Sequence, residues 1–218
     1  MEKKENCMTV KRVLWIIVCV AWVNVAQSQS LVKASAIHYQ VEIDIRKFDP
    51  ANGKALPDPI IKFETDAYYS DSHVRTFNRR VKSVEDYDLT LRQRLYDQAS
   101  TSEYNVDHEA KFMVLKEAHV YKPKSTGKKK TILNYACKEY TVTDFQGRQL
   151  SFWVTDKLGK NVSPWGNFQI EGTALEITSS FGVHFIAAEF ATGEVDGHFF
   201  DVPSDYQIDK IPFPTKAK

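Results

Sequence analysis

Cysteine is scarce in this sequence, and its scarcity excludes a disulfide scaffold. Three cysteines occur in 218 residues, and two of them, Cys7 and Cys19, fall in an N-terminal leader that we expect to be removed. Cys137 then stands alone and has no partner for an internal disulfide. A buried, inert thiol on a strand is the expectation for it, with pairing between chains or reaction as a free thiol as the alternatives.

The sequence also has no marked excess of positive or negative charge. The chain has 29 lysines and arginines against 28 aspartates and glutamates, and without residues 1–28 these numbers become 25 and 26. Nucleic-acid binders usually carry a clear excess of basic residues. The sequence therefore predicts no nucleic-acid partner.

Patterns that carry known chemistry are also missing. The six histidines are scattered and show none of the tight spacings of a zinc site. Ser70, Ser163 and Ser179 lack the setting of a nucleophilic serine, which stands on a strained turn between glycines. Carboxylates are numerous, but a catalytic pair is defined by its separation in space. We therefore predict no metal site, no cofactor and no enzymatic activity.

One long apolar run is present, and it lies near the N-terminus. Basic residues precede the segment Val13–Ala26, which has the length of a signal-peptide core and is short for a membrane span. Ala26 and Ser28 then supply small residues at a cleavage site. We predict a signal peptide over residues 1–28, with an uncleaved anchor as the alternative, and a single mature domain over residues 29–218. The mature protein would be exported and soluble, in the periplasm or outside the cell.

The mature chain has the rhythm of short strands. Between Ile37 and Phe48 apolar and polar residues alternate, so that Tyr39, Val41, Ile43 and Ile45 share one face of a predicted strand. Regular turn signals between such runs indicate an antiparallel meander. Two segments stay ambiguous: 84–97 favours strand over helix, and 187–189 would also suit a helix. The further runs that predict strands are 60–69, 73–78, 102–106, 111–118, 173–182 and 183–193.

Two polar stretches are predicted to be loops. Asp49–Pro59 contains three prolines, which cannot donate to a strand ladder. Tyr121–Lys130 is rich in lysine and contains Gly127, but a phosphate-binding loop would need more glycines and a following helix. A solvated approach to the next hairpin is therefore expected at 121–130.

The strongest pattern spans Lys130–Thr155, where two alternating runs flank a short loop with Gly147 and predict a β-hairpin. In the second run Phe152 and Trp153 point to opposite faces, and in the first run Tyr140 and Val142 share a face. Neither face is purely polar. We therefore expect protein to cover one face, and protein or a ligand to cover the other.

The hairpin and the segment after it follow a recurring pattern of aromatic residues, cysteine and glycine. The matching positions are Tyr135, Cys137, Tyr140, Trp153, Asp156, Gly172, Leu175 and Ile177. In these residues the chain resembles the core of the secreted GLPGLI-type and related uncharacterised proteins of Bacteroidetes. It departs from that pattern at Asn134, where the family has glycine, and at Glu171, where it has proline.

The resemblance implies a fold like that of the LolA/LolB lipoprotein carriers: a mainly β chain, with a curved antiparallel sheet or half-barrel (LolA-like) and little helix. Its concave apolar face would accept an acyl chain, since burying each methylene contributes about 0.8 kcal/mol. The family carries over no chemistry. The candidates for lining that cavity, each of which could equally be ordinary core, are Tyr140, Val142, Phe152, Trp153, Trp165 and Phe185.

Two functions are compatible with these features. The first is non-covalent binding of an apolar ligand, such as a lipid or acyl chain, or of a lipoprotein, in the half-barrel groove. The second is an interaction or structural module of the cell envelope, which binds another protein through its sheet edge or apolar face. Lipid that copurifies with the protein would favour the first, and a stable complex with an envelope protein would favour the second.

Overall fold

The computed structural model describes residues 30–53, 58–79, 92–97, 100, 102–117, 123–144, 147–160, 162–165 and 171–210. The predicted leader at 1–28 lies outside this part of the chain, and so do residues 84–91 of the ambiguous segment. No helix in the described ranges is long and apolar enough to cross a membrane.

Strands dominate the described residues. Helix is limited there to two four-residue turns, Ile45–Phe48 and Pro50–Gly53, and a 3-10 turn at Gly197–Phe200. The strands are β1 Leu31–Asp44, β2 Ile60–Tyr69, β3 His73–Arg79, β4 Arg92–Asp97, β5 Ser102–Asp107, β6 Phe112–Glu117, β7 Lys124–Ile132, β8 Tyr135–Thr143, β9 Gln149–Thr155, β10 Thr173–Ser179, β11 Val183–Asp196 and β12 Gln207–Lys210.

These strands form one sheet in the order β12-β6-β5-β4-β3-β2-β1-β11-β10-β9-β8-β7. Strands β1 to β6 follow one another as a meander, and β7 to β11 form a second meander that returns to the other side of β1. The pairs are antiparallel except that of β12 with β6. The sheet is curved and unclosed, with β12 and β7 at its ends. The predicted mainly β fold, a curved antiparallel half-barrel with little helix, is confirmed.

Strand β1 lies in the middle of the sheet and carries the centre of the main core. The alternation predicted from the sequence is present within β1, because Ile37, Tyr39 and Val41 are 0%, 0% and 1% exposed while Gln40 is exposed. The predicted continuation of the strand to Phe48 is wrong, because Ile45–Phe48 form a helical turn. The Tyr39 hydroxyl donates to the carbonyl oxygen of Ala174 on β10 at 2.7 Å, so its buried oxygen is satisfied. Burying each large apolar side chain contributes about 1.5–3 kcal/mol, and β1 thereby holds the two meanders together.

A smaller cluster lies on the opposite face, near the start of β1. Ala34, Leu95 and Phe200 are buried in it. Arg75 donates to the carbonyl oxygen of Phe199, and its guanidinium lies 5.2 Å from the centroid of the Phe199 ring. These contacts hold the 3-10 turn against β3.

The prediction that the lysine-rich stretch 121–130 forms a loop is wrong for most of its length. Strand β7 begins at Lys124 and pairs with β8. The side chains from Lys124 to Lys129 are all exposed, so the strand has no apolar alternation that a sequence pattern could detect. Residues 187–189, for which helix was an alternative, belong to β11.

The hairpin predicted over Lys130–Thr155 contains a turn that the sequence analysis missed. Leu133 and Asn134 have φ values of +49° and +66° and connect β7 to β8. Positive φ at both central residues is the type I′ geometry, which fits the twist of the flanking strands. Asparagine tolerates this geometry better than most residues. The predicted turn at Gly147 does join β8 to β9.

Candidate functional site

The residues predicted to line a cavity do not all face one space. Val142, Phe152 and Phe185 belong to the main buried cluster and are 2%, 0% and 8% exposed. Across the β8–β9 pair, Val142 lies opposite Leu150, and Tyr140 lies opposite Phe152. The side chains of this cluster bury one another, which is how ordinary core residues pack.

Trp165, Tyr140 and Trp153 are partly buried at the borders of this cluster. The Trp165 ring centroid lies 5.4 Å from that of Phe185, so the indole covers one end of the core. Tyr140 instead reaches the surface and lines a groove. Trp153 projects from the opposite face of the sheet, because neighbouring residues on a strand alternate and Phe152 already points into the core.

A surface groove borders the main cluster and has three adjoining sections. The first, which we call the basic section, has a volume of about 560 Å³, within the range of about 300–1,000 Å³ that is usual for ligand sites. Its floor is apolar and is formed by Tyr140, Val154 and Leu158. Its rim consists of the lysines Lys129, Lys138, Lys157 and Lys160.

The groove continues from the basic section toward the ends of β1 and β2. The middle section, about 590 Å³, shares Leu158 and Gly159 with the basic section and adds Tyr69 and Phe190. The far section, about 540 Å³, shares Tyr69 with the middle one. A Cβ at Gly159 would lie 2.4 Å from Cε2 of the Tyr69 ring, so only glycine lets this segment lie against Tyr69.

Positive charge dominates the basic section. Its lining contains four lysines but only two carboxylates, those of Asp156 and Glu171. Lys129 on β7 lies directly opposite Lys138 on β8, and both are exposed. Like charges at directly opposed positions destabilise a sheet. Within the described residues neither ammonium group has an ion-pair partner, whereas Lys157 pairs with Asp156 at 3.5 Å. Uncompensated positive charge thus stands beside an apolar floor.

The opposite face of the sheet carries a polar row centred on Trp153. Glu139 on β8 and Glu176 on β10 lie directly opposite Trp153 on β9. The Lys130 Nζ lies 4.2 Å from the centroid of the Trp153 ring and pairs with Glu176, and Nε2 of His184 lies 3.2 Å from Oε1 of the same carboxylate. Because Lys130 covers the ring, the ring face is not a free platform for a ligand.

Glu139 is held by partners on both carboxylate oxygens. Ser151 Oγ donates to its Oε1 at 2.7 Å, Thr126 Oγ1 donates to its Oε2 at 2.7 Å, and Lys128 Nζ lies 3.1 Å from Oε2. The hydrogen bonds from Ser151 and Thr126, aided by Lys128, lower the pKa of Glu139 to about 2. A carboxylate with so low a pKa stays ionised at neutral pH and is not a general acid. The row therefore stabilises the sheet.

Sequence reasoning missed the lysines of the groove, although one signal could have found them. Lys129 and Lys138 are placed symmetrically about the Leu133–Asn134 turn, and a hairpin centred on that turn pairs them. The run was instead interpreted as a loop. In the described ranges, no three His, Cys, Asp or Glu side chains form a group that could hold a metal ion.

The sequence matches no protein family, and no curated protein matches it. Among solved structures, the fold is similar to part of PNGF-II in its C2 crystal form, with a TM-score of 0.57 and 14% identity over 83% of this chain and 31% of that chain. The P21 form gives a TM-score of 0.55 and 15% identity over 84% of this chain and 32% of that chain. An uncharacterized conserved protein from Thermus thermophilus gives a TM-score of 0.46 and 8% identity over 83% of this chain and 91% of that chain.

The chain thus spans about a third of the length of PNGF-II. At this level of identity the likeness shows the fold alone. The relationship to GLPGLI-type and LolA-like proteins stays a prediction.

Proposed function

We propose that this chain is an exported, non-enzymatic binding protein, and that its ligand is an amphiphile with an acyl tail and an anionic head group. The observation that carries this proposal is the basic section, where Lys129 and Lys138 stand uncompensated beside the floor of Tyr140, Val154 and Leu158. A preformed groove with an apolar floor and a few placed polar groups is the usual form of a small-molecule site. No bond is made or broken.

The head group is assigned to the two opposed lysines. An anion between Lys129 and Lys138 offsets their mutual repulsion and gains two charge contacts. At exposed positions each such contact is worth about 0–1 kcal/mol. The head group therefore orients the ligand and selects its charge, while most of the affinity must come from the tail.

The tail is assigned to the apolar floor and its continuation. It runs over Leu158, passes Gly159 and enters the middle section beside Tyr69 and Phe190. Micromolar binding corresponds to about 8 kcal/mol, and each buried methylene contributes about 0.8 kcal/mol. A tail of about ten or more methylenes is therefore required, which favours a fatty acyl chain over a short organic acid.

Two measurements test the proposal. Native mass spectrometry of the protein recovered from an exporting host should show a bound acyl compound. In calorimetric titrations we expect dodecanoate to bind about tenfold more tightly than dodecanol, since two lysine contacts of up to about 1 kcal/mol each act only on the anion.

Variants of the lysines separate the head group from the tail. The double variant Lys129→Gln and Lys138→Gln should bind dodecanoate and dodecanol equally. Lys116→Gln, which changes an exposed lysine on β6, is the matched control and should keep the preference. Equal binding of the two probes to the wild-type protein, or no binding of either, would refute the proposal.

A further inference from the structure

Within the part of the chain that the structure describes, strand β7 leaves one side of its backbone open at the end of the sheet. Among the described strands it pairs with β8 alone. In an antiparallel pair, alternate backbone N–H and C=O groups point away from the partner strand. A register shift between Ser125 and Lys129 divides β7, so the regular run that remains is Lys129–Ile132. Such an edge is a template for another strand.

The hairpin that carries this edge concentrates positive charge. Residues Lys124–Thr143 contain five lysines and one acidic residue, in a chain whose formal net charge is +1. Lys124 and Lys129 are exposed and have no ion-pair partner among the described residues. An incoming strand would meet their ammonium groups beside the open backbone.

We propose that the outer edge of β7 docks an extended acidic segment of a partner protein, which adds to the sheet as a further strand. Main-chain hydrogen bonds to Lys129–Ile132 supply the register, as in other cases of strand addition. Carboxylates at alternating positions of the segment face Lys129 and, beyond the register shift, Lys124. The partner is thus defined by an extended backbone and by negative charge.

The same lysines exclude the commonest wrong partner, which is a second copy of this edge. Two β7 strands side by side would bring like charges together, which is unfavourable at opposed strand positions. Selection between an acidic strand and a second β7 therefore has both an attractive and a repulsive component. The docking edge meets the groove at Lys129, which lines the basic section, but it extends beyond the groove to Lys124, which lines none of the three sections.

A short fluorescent peptide of alternating glutamate and threonine tests the proposal by polarisation titration with the full chain. We expect Lys124→Glu to weaken binding about fivefold and Lys116→Glu, an exposed control on β6, to leave it unchanged. The same peptide with alternate amides N-methylated keeps its charge but cannot pair as a strand, and it should bind about tenfold more weakly. Amide hydrogen exchange at Lys129–Ile132 should slow when the unmodified peptide is added.

Three outcomes would overturn the docking edge. They are equal binding of the N-methylated peptide, unchanged amide exchange in β7, and binding to phosphatidylglycerol vesicles in place of the peptide. Dodecanoate titrations of Lys124→Glu keep the two proposals apart, because this variant should retain wild-type affinity for dodecanoate. If Lys124→Glu loses peptide binding but still binds dodecanoate, the result concerns the docking edge alone and leaves the proposed groove ligand unaffected.

Discussion

Glu139 offers the sharpest test of what stabilises the sheet. Glu139→Gln keeps the size of the side chain but removes the charge that Ser151, Thr126 and Lys128 contact. The pKa of Glu139 is lowered from 4.5 to about 2, and each unit corresponds to about 1.4 kcal/mol, so the ionised form contributes at most about 3.5 kcal/mol at neutral pH. The Lys128 side chain is 70% exposed, so solvent screens its share. We therefore expect a loss of about 2 kcal/mol.

The pH dependence of that loss separates charge from packing. Because the folded-state pKa lies below the unfolded-state value, this stability is complete above pH 4.5 and is lost as the pH falls toward 2. Urea unfolding near neutral pH and near pH 3 should show a difference between wild type and Glu139→Gln that shrinks on acidification. Glu189→Gln, an exposed change on β11, should stay within about 0.5 kcal/mol of wild type. A difference that is absent at neutral pH, or the same at both values, would refute the reasoning.

The remaining predictions concern the core, a turn and a histidine. Phe152→Ala should lower the free energy of unfolding in urea by about 3–5 kcal/mol, because the side chain is 0% exposed; a loss below about 1 kcal/mol would contradict its place in the core. Asn134→Val should cost about 1–2 kcal/mol in thermal unfolding, because φ is +66°, whereas Asn134→Gly should be nearly neutral. Burial, aided by Arg75, lowers the pKa of His108, so stability should fall as the pH drops below about 6.5. His108→Gln should flatten that part of the urea-midpoint profile, and an unchanged slope would contradict this.

Apolar alternation was enough to predict most of the sheet, because burial of one face leaves a period of two in the sequence. In β1 the buried positions Ile37, Tyr39 and Val41 alternate with polar ones, and the predicted 60–69 strand has the bounds of β2. Strand β7 escaped prediction for the converse reason. Its first six side chains are exposed, so backbone pairing alone defines it.

The candidate site was harder to predict than the fold, because hydrophobicity does not distinguish a cavity wall from a filled core. Phe152 and Tyr140 lie directly opposite each other on adjacent strands, yet the first is fully buried and the second borders the groove. The groove also depends on residues far apart in the chain, such as Gly159 and Tyr69. Local patterns contain no information about such contacts.

The three consecutive lysines 128–130 have different roles because neighbouring side chains on a strand point to opposite faces of the sheet. Two of them stabilise the fold, and the third lines the proposed binding groove. Lys128 and Lys130 pair with Glu139 and Glu176 on one face, whereas Lys129 faces the groove opposite Lys138. Lys130→Gln should therefore lower the free energy of unfolding by about 1 kcal/mol and leave dodecanoate binding unchanged. Lys129→Gln should weaken dodecanoate binding with no loss of stability, since it relieves repulsion between like charges. Parallel urea unfolding and calorimetric titrations check this division, and it fails if the two variants change both quantities alike.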